Sequence, residues 1–353
     1  MDPSVRRRLS ALGRLHRGNA ARERRPIDPK NTIYSAKRLI GESLTSYRTQ
    51  EFRRNYPFDL TDTERGAVGF RTRAGVFTSR DIATRVVDEL LARTRYVAEK
   101  TVAVVTVPAA FTDVQRSTTR RALRNAGIPQ VRMVEEPVAT AIAYLQRSNL
   151  RYAVVYDLGG GTFDLAILDC TRRPFQILAH GGDPYLGGDD IDRVIANWIT
   201  RSVLERTGWD VSTDREVFDR LVMTVESAKR ELTTRSAVTI DLSNIDPAAP
   251  QPLGSIELDR TRALGLASDL VRRTFAICDD VLGRAGLHAR DMDAVFLAGG
   301  STALPGVKEH VEQYFGKRPR TDVPPMESVA IGASLAAARP ALAGLLEEDE
   351  TNA

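Results

Sequence analysis

Cysteine, tryptophan and long apolar runs are all scarce in this chain. Two cysteines in 353 residues, Cys170 and Cys278, exclude a disulfide framework and give no spacing for structural zinc. They read as buried free thiols in a reducing cytoplasm. No stretch is apolar for long enough to span a bilayer, and the basic start Met1–Arg8 has no apolar segment behind it, so no signal peptide is visible. What remains is ordinary for a folded soluble protein: 42% hydrophobic and 27% charged residues, long enough for a core shared by more than one domain.

The formal charge of +4 is unevenly spread. Eight Arg and Lys30 against Asp2, Glu23 and Asp28 put residues 1–30 at about +6 and the remainder near −2. The basicity is therefore a terminal feature and not a nucleic-acid-binding face. Residues 1–17 read as a basic, frayed leader. Residues 341–353 carry the opposite sign, Glu347-Glu348-Asp349-Glu350, and read as an acidic tail.

Against this background one segment stands out: Asp157-Leu158-Gly159-Gly160-Gly161-Thr162-Phe163-Asp164. The apolar runs Tyr152–Tyr156 and Leu165–Leu168 flank it as two strands, so the glycines form a hairpin turn. Three bare glycines expose backbone N–H groups that can wrap a phosphate. Asp157 and Asp164 at its ends are hard oxygen ligands suited to Mg²⁺ or its water shell. The alternative is a plain glycine turn with solvated acids.

The rest of the chain alternates strand and helix, which implies α/β architecture with largely buried sheets. Asn31 reads as the N-cap of a helix that ends at Gly41. Ser79 caps an amphipathic helix running to about Glu99. Val102–Val107 is almost purely apolar, the pattern of a strand buried on both faces. Asp113–Ala126 and Pro137–Leu145 read as helices. After Asn149 the pattern restarts: three strands, helices from Ile191 and Thr213, two strands, and a helix from Arg260. A buried strand Ala294–Ala298 then ends in Gly299-Gly300-Ser301, and a small-residue helix spans Ser328–Ala338. Two lobes without a flexible linker would hold a ligand in the cleft between them.

In this order, the glycine loop, Val134-Glu135-Glu136-Pro137 and Phe296-Leu297-Ala298-Gly299-Gly300-Ser301-Thr302 resemble the ATPase domain of heat-shock protein 70 (DnaK-type) chaperones. The likeness runs from about residue 18 to about residue 340. It implies a two-lobed actin-like ATPase fold with a nucleotide cleft between the lobes. Lobe I would span 18–150, with part of its last helix returning at 326–340, and lobe II 151–325. It implies ATP or ADP with Mg²⁺ as cofactors. Gly159, Gly160, Gly161 and Thr162 would hold the phosphates, and Asp157 and Asp164 would organise Mg²⁺ and water. Glu136 would position the attacking water. Lys37, in Tyr34-Ser35-Ala36-Lys37-Arg38-Leu39-Ile40-Gly41, matches the catalytic lysine that offsets charge on the transferred phosphoryl group. Gly188 and Asp189 belong to a loop that closes over the nucleotide. Glu226, Lys229, Arg230 and Thr233 share a helix face resembling the adenosine clamp, and Gly299, Gly300 and Ser301 resemble the adenosine turn. Pro108 and Arg116 would relay nucleotide state. A J-domain co-chaperone and a nucleotide-exchange factor are the partners implied.

The chain also departs from that pattern. No strand with a Gly-Thr-Thr loop precedes Lys37, so the first phosphate loop and part of lobe I are expected to be missing. Ala303 stands where an adenine-stacking Arg is usual, Met326 replaces an Asp, Ala110 a Tyr, and Asp189 a Glu. No substrate-binding domain is expected in residues 341–353. Three alternatives to an ATP-hydrolysing chaperone domain therefore stay open: a hydrolysis-deficient nucleotide-sensing or partner-binding module, a fragment of a longer chaperone, and an actin-like filament subunit.

Overall fold

The computed structural model describes residues 16–64, 66–94, 97, 102–145, 150–172, 174–249 and 252–339. The expected basic leader and acidic tail lie almost wholly outside these residues. Eleven strands are present among them: β1 (Asp59–Asp62), β2 (Val68–Thr72), β3 (Gly75–Thr78), β4 (Val102–Val107), β5 (Gln130–Glu135), β6 (Tyr152–Leu158), β7 (Phe163–Asp169), β8 (Gln176–Asp183), β9 (Ala237–Asp241), β10 (Ser255–Asp259) and β11 (Ala294–Ala298).

The central sheet has the order β11-β6-β7-β8, with β11 parallel to β6 and the other pairs antiparallel. Its apolar residues alternate between two cores, as the two-residue period of a strand requires. Val154, Tyr156 and Leu158 face one side, with helices Gly188–Thr207, Arg215–Glu231 and Arg260–Ala285. Ala153 and Val155 face the other, with helices Glu136–Tyr144 and Ser328–Ala338. Helices on both faces explain why β6 and β7 are apolar nearly throughout. Both cysteines are buried and free, as the sequence implied.

Around this sheet sit three smaller ones: β1-β2-β3 and the β9–β10 pair, both antiparallel, and the parallel β4–β5 pair. The β1–β3 unit closes on an aromatic cluster of Phe52, Tyr56, Phe58 and Phe70, with Phe52 and Tyr56 stacked at 4.0 Å.

Three local expectations are corrected. The stretch after Asn31 is not an α-helix: it forms short 3₁₀ turns at Pro29–Asn31 and Ala36–Leu39, and the first α-helix beyond them is Tyr47–Asn55. Asn31 bonds back to Asp28 (2.7 Å), and Ser35 takes a left-handed φ of 52°, which breaks helical continuation. Ser35 is held there by its hydroxyl on Asp189 (2.6 Å), so a contact distant in sequence overrides local propensity. Nor is β4 buried on both faces. Only Val107 is fully enclosed and Val102 is 40% exposed, because among the described residues β4 pairs with β5 alone. The cap of helix Ser79–Ala92 is Thr78, one residue earlier than expected, in a reciprocal capping box with Asp81.

Helix Ser328–Ala338 lies against helix Glu136–Tyr144 at backbone distance. A Cβ on Gly332 would fall 1.7 Å from the Ala139 carbonyl oxygen. Gly332→Val is therefore expected to cost about 3 kcal/mol and to lower the thermal midpoint by several degrees. Gly265→Ala, in open space on helix Arg260–Ala285, should be neutral or stabilising by about 0.5–1 kcal/mol. Thermal denaturation of both variants checks the contrast.

Candidate functional site

Strand register builds the centre of the site. In the β6–β7 ladder Asp157 lies directly opposite Asp164, and Leu158 opposite Phe163. The turn Gly159–Thr162 closes with the Gly159 N–H donating to the Thr162 carbonyl at 2.9 Å. Opposed residues of an antiparallel pair project to the same face, so two carboxylates meet beside the glycine loop. Desolvation, with the charges of Glu136 and Asp164 added, pushes Asp157 up to about 8. Desolvation and Glu136 raise Asp164 to about 6, against a Thr162 hydrogen bond that lowers it. A cluster of acids this crowded favours a cation.

Lys37 supplies part of that charge. Its Nζ donates to Glu136 Oε1 at 2.9 Å, with Lys37 half exposed and Glu136 nearly covered. The charges of Glu136, Asp164 and Asp157 outweigh desolvation and raise its pKa. Glu136 opens its helix with Pro137 at the second position, where a missing N–H costs nothing. Beside Glu136, Asp157 and Asp164 is a cavity of about 10 Å³, also lined by Ala109, Ala110 and His180. That is close to the space one water requires. Among the described residues no three His, Cys, Asp or Glu side chains form a cage for a metal ion. Two opposed carboxylates are hard oxygen donors of the kind Mg²⁺ takes alongside water and phosphate oxygens.

The remaining loops converge on the glycine turn. A Cβ on Gly188 would meet Ser301 Oγ at 2.6 Å, Lys229 Nζ at 3.1 Å and Gly160 Cα at 3.4 Å. Gly188 and Asp189 N–H groups donate to the carbonyls of Gly159 (3.0 Å) and Gly160 (2.6 Å). The Ser301 hydroxyl donates to Gly159 O at 2.9 Å. Lys229 donates to the Gly188 carbonyl and to Asp192, both at 2.8 Å. Gly299, with φ of 82°, has no room for a side chain: a Cβ would lie 2.3 Å from the Leu158 carbonyl oxygen and 2.5 Å from Asp157 Oδ1. Gly300 lies under Met326.

Of the expected adenosine face, only Lys229 reaches this centre. Glu226 accepts from Arg22 (3.0 Å) and Arg230 (2.7 Å). Thr233 lies past the end of helix Arg215–Glu231 and bonds to the Arg230 carbonyl. Arg116 donates to Glu135, the neighbour of Glu136, at 3.2 Å, and Pro108 precedes the two alanines of the cavity wall.

Apart from Asp189, the sequence did not single out the residues that join the glycine-loop side to the segment around Lys37. Arg38, buried, donates to Gly161 O (2.5 Å) and Asp190 (2.8 Å). Asp189, expected at the nucleotide, receives Ser35 (2.6 Å) and Tyr56 (3.1 Å). Arg25 makes a bidentate pair with buried Asp219 (2.9 and 2.8 Å), which also accepts from the Tyr34 hydroxyl. Burial alone would lower the Arg25 pKa, but the Asp219 hydrogen bond and charge raise it overall. The adjacent pair Lys37-Arg38 and the doublet Asp189-Asp190 were the signals for the first two contacts. Nothing local marked Arg25 or Asp219.

The family model described as Hsp70 protein matches residues 13–347, almost the whole chain. The chain belongs to the Hsp70 family. Membership and the α/β architecture together establish an actin-like ATPase fold, and Hsp70 domains are in general ATPases that take ATP or ADP with Mg²⁺. No helix among the described residues is long and apolar enough to cross a membrane.

In this Hsp70-family chain, the Arg25–Asp219 pair is buried on both sides, so losing one partner strands a charge. Arg25→Met is expected to cost about 3 kcal/mol, whereas Arg25→Met with Asp219→Leu should recover most of it. Urea denaturation of the single and double variants gives the coupling.

Proposed function

We propose that this chain binds MgATP against the Gly159–Thr162 loop and hydrolyses it, as the ATPase domain of a chaperone. The observation that carries this is the Lys37–Glu136 ion pair set beside the facing carboxylates Asp157 and Asp164. Phosphoryl transfer to water asks little covalent chemistry of a protein. It needs an aligned water, a held phosphate chain and charge neutralisation.

Each requirement has a residue here. Backbone N–H groups of Gly160 and Gly161 and the Thr162 hydroxyl would hold the terminal phosphates. Glu136 borders the water-sized cavity and would orient the nucleophile. Lys37 Nζ would offset charge that spreads onto the equatorial oxygens. Asp157 and Asp164 would hold the water shell of Mg²⁺, which when bound neutralises the β- and γ-phosphate oxygens. Gly188, Lys229, Gly299, Gly300 and Ser301 would line the path of the α-phosphate and nucleoside. Pro108 and Arg116, contiguous with Glu135-Glu136, would pass nucleotide state to a partner. A J-domain protein and a nucleotide-exchange factor are the partner classes proposed on family grounds.

One observation favours a second function, nucleotide sensing without hydrolysis. Lys229 is tied to Asp192 and Gly188, Ala303 stands where an adenine-stacking Arg is expected, and Met326 covers Gly300, so fewer side chains would be free for a nucleoside.

Single-turnover hydrolysis of MgATP separates the two. The ATPase predicts turnover that falls about 10²–10³-fold in Lys37→Ala, while MgADP still raises the melting temperature of that variant. Stabilisation by MgADP without hydrolysis in the unsubstituted chain would leave only the sensing function. No stabilisation by any nucleotide would end both.

A further inference from the structure

A second cavity, of about 290 Å³, lies where residues 54–57 meet helices Gly188–Thr207 and Arg215–Glu231. It shares no residue with the cavity beside Glu136, Asp157 and Asp164. Three arginines line it. Arg54 is one residue from the end of helix Tyr47–Asn55, Arg193 is on the second turn of helix Gly188–Thr207, and Arg215 opens helix Arg215–Glu231.

The acids nearby are already engaged. Among the described residues Asp219 is the one carboxylate on the cavity wall, and it holds the Arg25 guanidinium and the Tyr34 hydroxyl. Glu51 pairs with Arg54 at 3.3 Å, and Glu216 with Lys30 at 2.8 Å. Asp214 caps its helix by accepting the Glu216 N–H at 2.7 Å, and Asp210 accepts the N–H and the hydroxyl of Ser212. Arg193 and Arg215 are left with no carboxylate partner among the described residues.

Arg193 is also fixed in place. Its guanidinium lies over the Tyr56 ring at 4.6 Å, and its Nε is buried with no hydrogen-bond partner. A guanidinium held on one face with donors unmade is preset for an oxygen of a ligand. Asn197, one turn further along the same helix, brings a side-chain amide to the same wall. Two uncompensated guanidinium groups match an oxyanion of charge two better than a carboxylate, which carries one. A phosphomonoester carries about −1.5 to −2 at pH 7. The cavity is near the lower bound of about 300 Å³ for small-molecule sites, and Phe218 and Pro57 make part of its wall apolar.

We propose that this cavity binds a phosphate group, free or carried on a small organic body, through Arg193, Arg215 and Asn197, with Arg54 at its edge. Arg54 and Tyr56 belong to the segment that follows Lys37, whereas Arg193 and Arg215 belong to the glycine-loop side. A bound phosphate therefore bridges the same two parts that Arg25 and Tyr34 join through Asp219. The Tyr56 hydroxyl donates to Asp189 at 3.1 Å, so the bridge is one contact removed from the Gly188-Asp189 loop.

The test is isothermal titration calorimetry of the full chain without nucleotide, with inorganic phosphate and phenyl phosphate as separate titrants. Both should bind, and Arg193→Met and Arg215→Ala should each weaken binding about tenfold, as loss of a charge-assisted contact requires. Arg215 is exposed, so its variant separates lost binding from lost structure. Lys37→Ala should bind both titrants as the unsubstituted chain does. Tighter binding of phenyl phosphate assigns the site to organic phosphates, and equal affinity assigns it to free phosphate. Three results overturn the proposal: no binding of either titrant, affinities that both arginine variants leave unchanged, or binding lost only in Lys37→Ala, which puts the phosphate at the glycine turn. No nucleotide is present, so a failure of ATP hydrolysis leaves this measurement untouched.

Discussion

Everything at the site depends on two carboxylates being forced to face each other. The β6–β7 register fixes Asp157 opposite Asp164, and the burial of both strands between two helical layers fixes that register. Slipping the ladder by one residue would turn Tyr156, Leu158, Phe163 and Leu165 out of one core and into the other. The folding free energy of the central sheet therefore holds an electrostatically unfavourable pair in place. Crowded acids are tolerable because one neighbour, Lys37, is a cation and because burial and mutual repulsion shift Asp157 and Asp164 toward the neutral form. The same geometry explains the glycines. With Gly188, Ser301, Lys229 and Gly160 converging within a few ångströms, no side chain fits where the backbones touch.

Much of this was legible in the sequence because its signals were local. Asp157–Asp164 lies on a single hairpin, so alternation, turn chemistry and charge sit within eight residues. Glu136-Pro137 declares a helix start in two. The turn after Ala298, expected at the adenosine, is likewise a strand end followed by glycines. The legible features stop where contacts become long-range. Ser35 departs from the helix that Asn31 suggested because Asp189, 154 residues away, holds its hydroxyl. Arg25 and Asp219, 194 residues apart, carry no pattern in their own neighbourhoods. The exposure of β4 was unreadable for another reason. Its composition is that of an enclosed strand, and composition cannot report which neighbours the fold supplies. Glu226 and Lys229 show the limit of periodicity. Helical spacing put them on one face, yet one ends in a surface ion-pair network and the other in a buried pair with Asp192.

The contacts across the cleft differ in kind from those within each side of it. Inside, the large clusters are aliphatic and aromatic, and their burial is the main source of stability. Across the cleft the joints described above are polar: Arg38 on Gly161 and Asp190, Ser35 and Tyr56 on Asp189, Arg25 and Tyr34 on Asp219. Polar joints of this sort have a distinctive energetic profile. Each is costly to leave half made, because a desolvated charge remains, but the pair as a whole contributes little net free energy when both partners return to water together. These joints sit beside apolar contacts between the same parts of the chain: Tyr185 packs on the cluster of Phe52 and Tyr56, and helix Glu136–Tyr144 packs on the central sheet. Arg38 ties these joints to the site itself, since the guanidinium that bridges to Asp190 also rests on the carbonyl of Gly161 in the glycine turn. The same turn is held from its other side by the Gly188 and Asp189 N–H groups and the Ser301 hydroxyl on the carbonyls of Gly159 and Gly160.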